Sequence, residues 1–352
     1  NPGSFPTRST SAPPRMTSPQ HTADSRQQTA HTISVCCVLG AVCVVLSAGS
    51  GCAHVPSRQS RPAEPLPAEL AAYYRYPSKP ADVTTELVRE RPRFTESLVR
   101  FPLSVPAGLE PTEPVVEFEW FESKQPGRRP AIVFNPILGG DYPLERGICR
   151  YLAARGLHVA LVHRKTLKVS PEHPIDRLEL LLRQTVVRMR QVVDWMEGEA
   201  RVDPTRLGGF GISMGGMAGV IAAAVEPRLK AHVVALAGGP LATILVTSHD
   251  PLLAKPRRRY LEHNRMDLAT FERRVRDSVK TDPLVLAPHV DPSRLFLFIT
   301  LFDRTVGTPN ELRLWRALGK PEATFVPLGH YTAYLSLPYL KRASLGFFRK
   351  TL

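Results

Sequence analysis

Six short runs, at residues 131–134, 158–162, 207–210, 232–236, 295–300 and 324–326, are apolar or nearly so on both faces. Nothing else in the chain constrains its fold as strongly. A strand with water on one side alternates apolar and polar residues, whereas a strand apolar throughout must be covered on both sides, as in a parallel sheet layered by helices. The intervening segments have the matching character, because residues 144–155, 175–199, 214–224, 311–318 and 334–350 carry helical periodicity. Strand and helix therefore alternate, which predicts an α/β fold with a doubly wound, mostly parallel sheet. Residues 115–121 differ, with Val116, Phe118 and Trp120 on one face and Glu117 and Glu119 on the other, so this half-buried strand is expected towards an edge. In an open sheet of this kind ligands bind beyond the carboxyl ends of the strands.

The run at 207–210 leads into Gly211-Ile-Ser-Met-Gly215 and then a helical pattern. A G-x-S-x-G between strand and helix is the context of a nucleophile elbow, in which the serine sits on a strained turn and the glycines avoid collisions with the neighbouring backbone. A glycine-rich turn with a capping serine is the simpler alternative. A dinucleotide fingerprint fails because Met214 stands where its third glycine is needed, and the chain has no P-loop, no H-E-x-x-H and no paired C-x-x-C. No metal and no cofactor are expected.

The phrase Val202-Asp-Pro-Thr-Arg-Leu-Gly-Gly-Phe-Gly-Ile-Ser-Met-Gly-Gly216 resembles the approach to the elbow in the α/β-hydrolase superfamily, in its dienelactone-hydrolase-like and acetyl-esterase-like branches. The resemblance covers about residues 115–350. It implies the chain order serine, acid, histidine, and places the acid at Asp303, after the run ending at Phe302, and the base at His330, after the last strand. Chemically, a histidine takes the proton from the weakly nucleophilic Ser213, and a buried carboxylate fixes the imidazole tautomer. The oxyanion hole is expected from the Met214 N–H and the loop Asn135-Pro-Ile-Leu-Gly-Gly140. Many relatives carry His-Gly where this chain has Asn135-Pro136; proline has no N–H, so Ile137 is the first candidate donor and Leu138 the second. Residues 241–292 resemble the small helical cap such hydrolases place over the site. The reading is a serine hydrolase acting on a small-molecule carboxylic ester. An acyltransferase or peptidase on the same triad, or a non-catalytic binding protein, is the alternative.

The front of the chain differs in composition. Residues 33–46 form an apolar run of signal-peptide length, short of the ~20 residues needed to span a bilayer, and small residues lead from it to Cys52. This resembles the lipobox of bacterial lipoproteins, although Gly49 stands where leucine is preferred. Residues 1–52 are therefore read as a processing segment ending in lipidation at Cys52. Export to a bacterial cell envelope with a lipid anchor in the membrane is expected, or release to the periplasm or medium. The proline-rich stretch 53–80 is expected as a tether, and 81–352 as the hydrolase domain. The net charge of +14 comes from 46 Lys and Arg against 32 Asp and Glu. Its densest cluster, Lys255 to Arg259 with Arg273, Arg274 and Arg276, is interleaved with Glu262, Asp267, Glu272 and Asp277. It reads as a solvated helix surface, and no nucleic-acid partner is expected.

Overall fold

The computed structural model describes residues 52–57, 62–105, 110–164 and 170–352, so the apolar run at 33–46 lies outside the described residues. In chain order the strands are β1 (Ala53–Val55), β2 (Thr84–Glu90), β3 (Phe94–Pro102), β4 (Val115–Ser123), β5 (Arg129–Asn135), β6 (His158–Val162), β7 (Val202–Ile212), β8 (Leu229–Ala235), β9 (Leu295–Thr300) and β10 (Glu322–Val326). They form one sheet in the order β1-β10-β9-β8-β7-β5-β6-β4-β3-β2. The stretch from β6 to β10 is parallel. The flanking strands are antiparallel.

The doubly apolar runs sit where the sequence requires them. Along β5, Ile132 and Phe134 face the helices α2 (Pro143–Ala153) and α10 (Leu337–Thr351), packing with Ile148, Leu152 and Phe348. Ala131 and Val133 face the other way, onto Val187, Val192 and Met196 of α3 (Asp176–Gly198). In β9, Phe296 and Phe298 join the first layer, and Leu295, Leu297 and Ile299 join the second, with α4 (Met214–Val225) and α9 (Thr308–Ala317). Strand residues alternate between faces, so a sheet covered on both sides needs every position apolar.

β4 lies towards one edge of the sheet, third from it, with β3 paired to it and β2 outside β3. β2 is exposed along its whole length and carries Glu86, Arg89 and Glu90, charges that discourage further pairing at an open edge. The stretch 53–80 is not a free tether: the compact unit begins at Cys52. β1 adds antiparallel to β10, and α1 (Ala68–Tyr73) leads into three tyrosines that anchor the segment. Tyr73 donates to Glu179 Oε1 (2.8 Å), Tyr74 to Thr281 Oγ1 (3.0 Å) and Tyr76 to Asp194 Oδ2 (2.7 Å). Proline-rich composition favours extended chain, but the buried Tyr74 and the half-buried Tyr73 and Tyr76, each with a hydrogen-bonded hydroxyl, hold it against the domain.

Between β8 and β9, in the segment expected as a cap, lie α5 (Leu241–Thr247), α6 (Pro251–His263), α7 (Leu268–Ser278) and the short α8 (Pro283–Leu286). Asp250 and Asp267 cap α6 and α7 through their side chains. Among the described residues no helix is long and apolar enough to cross a membrane.

Candidate active site

The parallel strands deliver four loops to one end of the sheet. β7 ends at Ile212, and Ser213 adopts φ 55°, ψ −119° before α4 begins. This left-handed backbone is costly for a residue with a Cβ, at about 1–3 kcal/mol, and survives only where the surroundings enforce it. The flanking glycines enforce it here. A Cβ on Gly211 would fall on the carbonyl of Gly215, and a Cβ on Gly215 would fall on the carbonyl of Asn135. The absence of a side chain at 215 therefore lets the start of α4 pack directly on the loop after β5. Met214, Ile137 and Leu138 border the same cavity as Ser213.

Asp303 follows β9 and is buried. Its Oδ1 accepts from the backbone N–H groups of Thr305 (2.7 Å), Val306 (2.8 Å) and Gly307 (3.2 Å). Its Oδ2 accepts from His330 Nδ1 at 2.6 Å. Burial raises the pKa of the Asp303 carboxyl, but the His330 bond and charge, with the backbone donors, outweigh it and hold the group well below the usual carboxylate range. Ser213 and His330 border one cavity of about 200 Å³, and no hydrogen bond joins them in this structure. Such contacts are often long in unliganded enzymes and tighten with substrate.

The structure thus brings together Ser213, Asp303, His330, Met214, Ile137 and Leu138. One expected role is corrected: the Ile137 N–H donates to the buried Glu145 Oε1 (3.0 Å), so it is not free to hold an oxyanion. The Leu138 N–H has no acceptor among the described residues, which reverses the expected order of the two donors. Arg164 braces the loop from below, donating to the carbonyls of Pro136 (3.3 Å) and Ile137 (2.8 Å).

Two residues beside the site escaped sequence reasoning. Glu311, on α9, is fully buried behind Asp303. Burial pushes its pKa well up, and the neighbouring Asp303 charge adds to the shift. Thr300 Oγ1 lies 2.6 Å from Glu311 Oε1 and 3.2 Å from Asp303 Oδ2. One hydroxyl proton cannot serve two carboxylates. A protonated Glu311 resolves the conflict by donating to Thr300 Oγ1, which donates in turn to Asp303.

The second is Asp250, the N-cap of α6. Its Oδ2 accepts from Thr305 Oγ1 (2.8 Å) and from the Tyr331 hydroxyl, while Oδ1 accepts from Leu252 N (2.8 Å). Thr305 belongs to the Asp303 turn, and Tyr331 adjoins His330. One cap residue therefore touches both loops. Burial raises the Asp250 pKa, but Tyr331, Leu252, Thr305 and the nearby His330 charge lower it on balance. Burial and the Asp250 carboxylate push the Tyr331 phenol up to about 12. No sequence signal linked these residues, because their contacts span 55 and 81 positions. Among the described residues no cluster of three His, Cys, Asp or Glu side chains could hold a metal ion.

No protein-family model matches the sequence, and no curated protein matches it. Solved structures do. The chain resembles the acetyl xylan esterase of Paenibacillus sp. R4, with a TM-score of 0.59 and 20% identity over 81% of this chain and 92% of that one. Acetyl xylan esterase 1 of Thermoanaerobacterium sp. JW/SL YS485 gives a TM-score of 0.57 and 15% identity, over 80% and 96% of the two chains. The acylaminoacyl peptidase of Pyrococcus horikoshii gives a TM-score of 0.54 and 16% identity, over 74% of this chain and 42% of that one. At such identities the likeness establishes architecture: the chain has the α/β-hydrolase fold.

Proposed function

We propose that this protein is a serine hydrolase that cleaves carboxylic esters through an acyl-enzyme. The observation that carries the reading is the Asp303–His330 hydrogen bond of 2.6 Å facing the same cavity as a strained Ser213. In the proposed reaction Ser213 Oγ attacks the ester carbonyl carbon, and its proton passes to His330 Nε2 while Asp303 holds Nδ1–H. The Met214 and Leu138 N–H groups receive the developing oxyanion. Collapse of that intermediate expels the alcohol, which takes the proton from His330. Water, activated by the same histidine, then releases the acid and restores the serine.

Hydrolysis of 4-nitrophenyl butyrate by the wild type and by Ser213→Ala tests this. Turnover should drop by at least about a thousandfold in the folded variant. Equal rates would refute the mechanism, and release of a transfer product or of an amine in place of the acid would reassign the acyl acceptor or the substrate bond.

The envelope location is a separate proposal. It rests on the apolar run and the small residues before Cys52, a half-buried residue immediately preceding β1. A multiply acylated Cys52 should carry the mature protein into the detergent phase. An unmodified amino terminus elsewhere, found by mass spectrometry, would overturn the anchor.

A further inference from the structure

The cavity at Ser213 is one of a pair. A second, of about 560 Å³, lies between α3 and the cap helices α6 and α7, walled by Ile175, Leu178, Tyr260, Phe271 and Val275. The two share Leu138, Met214, Leu245, Leu252 and Leu253 in their walls. Leu138 and Met214 carry the proposed oxyanion donors, so one end of the common wall lies where the ester carbonyl would sit. Both are overwhelmingly apolar, and several of their polar groups are engaged already, although the larger also has the solvent-exposed Arg259 in its wall. In the smaller cavity the Thr305 and Tyr331 hydroxyls are committed to Asp250. In the larger one the Arg257 guanidinium donates to the carbonyls of Leu245, Val246 and Ser248. A sugar ring placed in either would bury hydroxyls with few partners, whereas methylenes would lose water at a gain.

Building on the hydrolase reading above, we infer that the substrate is an ester apolar on both sides of its carbonyl, with a short arm in the smaller cavity and a long aliphatic or aromatic arm in the larger. This class differs from the acetylated polysaccharide named for two of the structural neighbours. Binding of remote apolar groups raises kcat/KM by the burial each methylene brings, about fourfold per methylene, until the cavity is full.

The test uses two series, 4-nitrophenyl esters from acetate to laurate and acetate esters of straight-chain alcohols from ethanol to dodecanol, so the long arm is found whichever side of the ester it occupies. From two to eight carbons, kcat/KM should rise by about thirtyfold or more in one series, the gain expected if only part of each methylene is buried. Leu178→Trp, which fills the larger cavity from a half-buried helix position away from the reacting atoms, should abolish that rise and leave two-carbon turnover and fluorophosphonate labelling near wild type. Val275→Phe provides a second block from the cap should Leu178→Trp fail to fold. Preference for two carbons in both series would overturn the inference while leaving the hydrolase reading intact. A rise that survives the block in a folded variant would overturn it as well. Absence of all ester turnover together with absence of labelling would instead remove the hydrolase reading, and this inference with it.

Discussion

Asp303→Asn gives the sharpest expectation, because the backbone around residue 303 dictates how an amide must sit. Three N–H groups, from Thr305, Val306 and Gly307, converge on Oδ1. Only the oxygen of an asparagine can accept from them, so its NH2 is forced to the position of Oδ2 and points at His330 Nδ1. A donor there makes Nδ1 the acceptor and leaves the ring proton on Nε2, the atom that should take the proton of Ser213. The fold loses little, since the three backbone bonds persist, but the histidine is held in the wrong tautomer. The expected loss in kcat is on the order of 10⁴, about 5 kcal/mol of transition-state stabilisation. Steady-state hydrolysis of a 4-nitrophenyl ester measures it, with circular dichroism and a melting curve confirming that the variant is folded. A folded Asp303→Asn within tenfold of wild type would show that the 2.6 Å contact does not set the tautomer, and the acid would have to be sought elsewhere.

Asp250→Asn removes an acceptor shared by Tyr331 and Thr305, so kcat/KM should fall by about tenfold, as expected when a charge-assisted bond of about 1.5–3 kcal/mol is partly retained, while labelling of Ser213 persists; unchanged kinetics would show that the cap does not steady the two loops. Gly215→Ala should destabilise the fold by about 1–3 kcal/mol and impair activity, because the new methyl meets the Asn135 carbonyl; a melting temperature equal to wild type would contradict the packing of the elbow on that loop. His232 is buried, which depresses its pKa from 6.5 to about 4. Its contribution is fully present above the unfolded-state value of about 6.5 and is lost as pH falls through 4, costing about 3 kcal/mol. Urea midpoints at pH 7 and pH 4.5 should show a decline that is smaller in His232→Gln, and parallel declines in both proteins would assign the acid sensitivity to other groups.

The turn at Ser213 was legible in the sequence because its requirement is local. A strand, two glycines and a helix specify a sharp turn without reference to the rest of the chain, and the left-handed φ of Ser213 is the result. The parallel strands were legible because burial on both faces leaves few polar positions in them, His158, His232, Thr300 and Thr324 among them. The hairpin β2–β3 was not, because β2 is exposed throughout and β3 carries Glu96 on its buried side, neutralised by Arg150 from α2 through two hydrogen bonds. A pattern of apolar alternation cannot register a charge whose partner lies 54 positions away. Composition likewise misread residues 53–80: proline content describes the backbone of that stretch, while Tyr73, Tyr74 and Tyr76 decide its docking through contacts more than 100 positions distant. Glu311 and Asp250 share that limitation. Their roles exist only once β9, β10 and the cap have been placed together.

The central claim is that Ser213 is the activated nucleophile, and covalent labelling tests it most directly. The wild type should be treated with a fluorophosphonate probe, digested and mapped by mass spectrometry, beside Ser213→Ala and His330→Ala. One phosphonylated residue is expected, Ser213, with no adduct in Ser213→Ala and labelling slowed by orders of magnitude in His330→Ala. An adduct on a different residue, or undiminished labelling of folded Ser213→Ala, would contradict that claim.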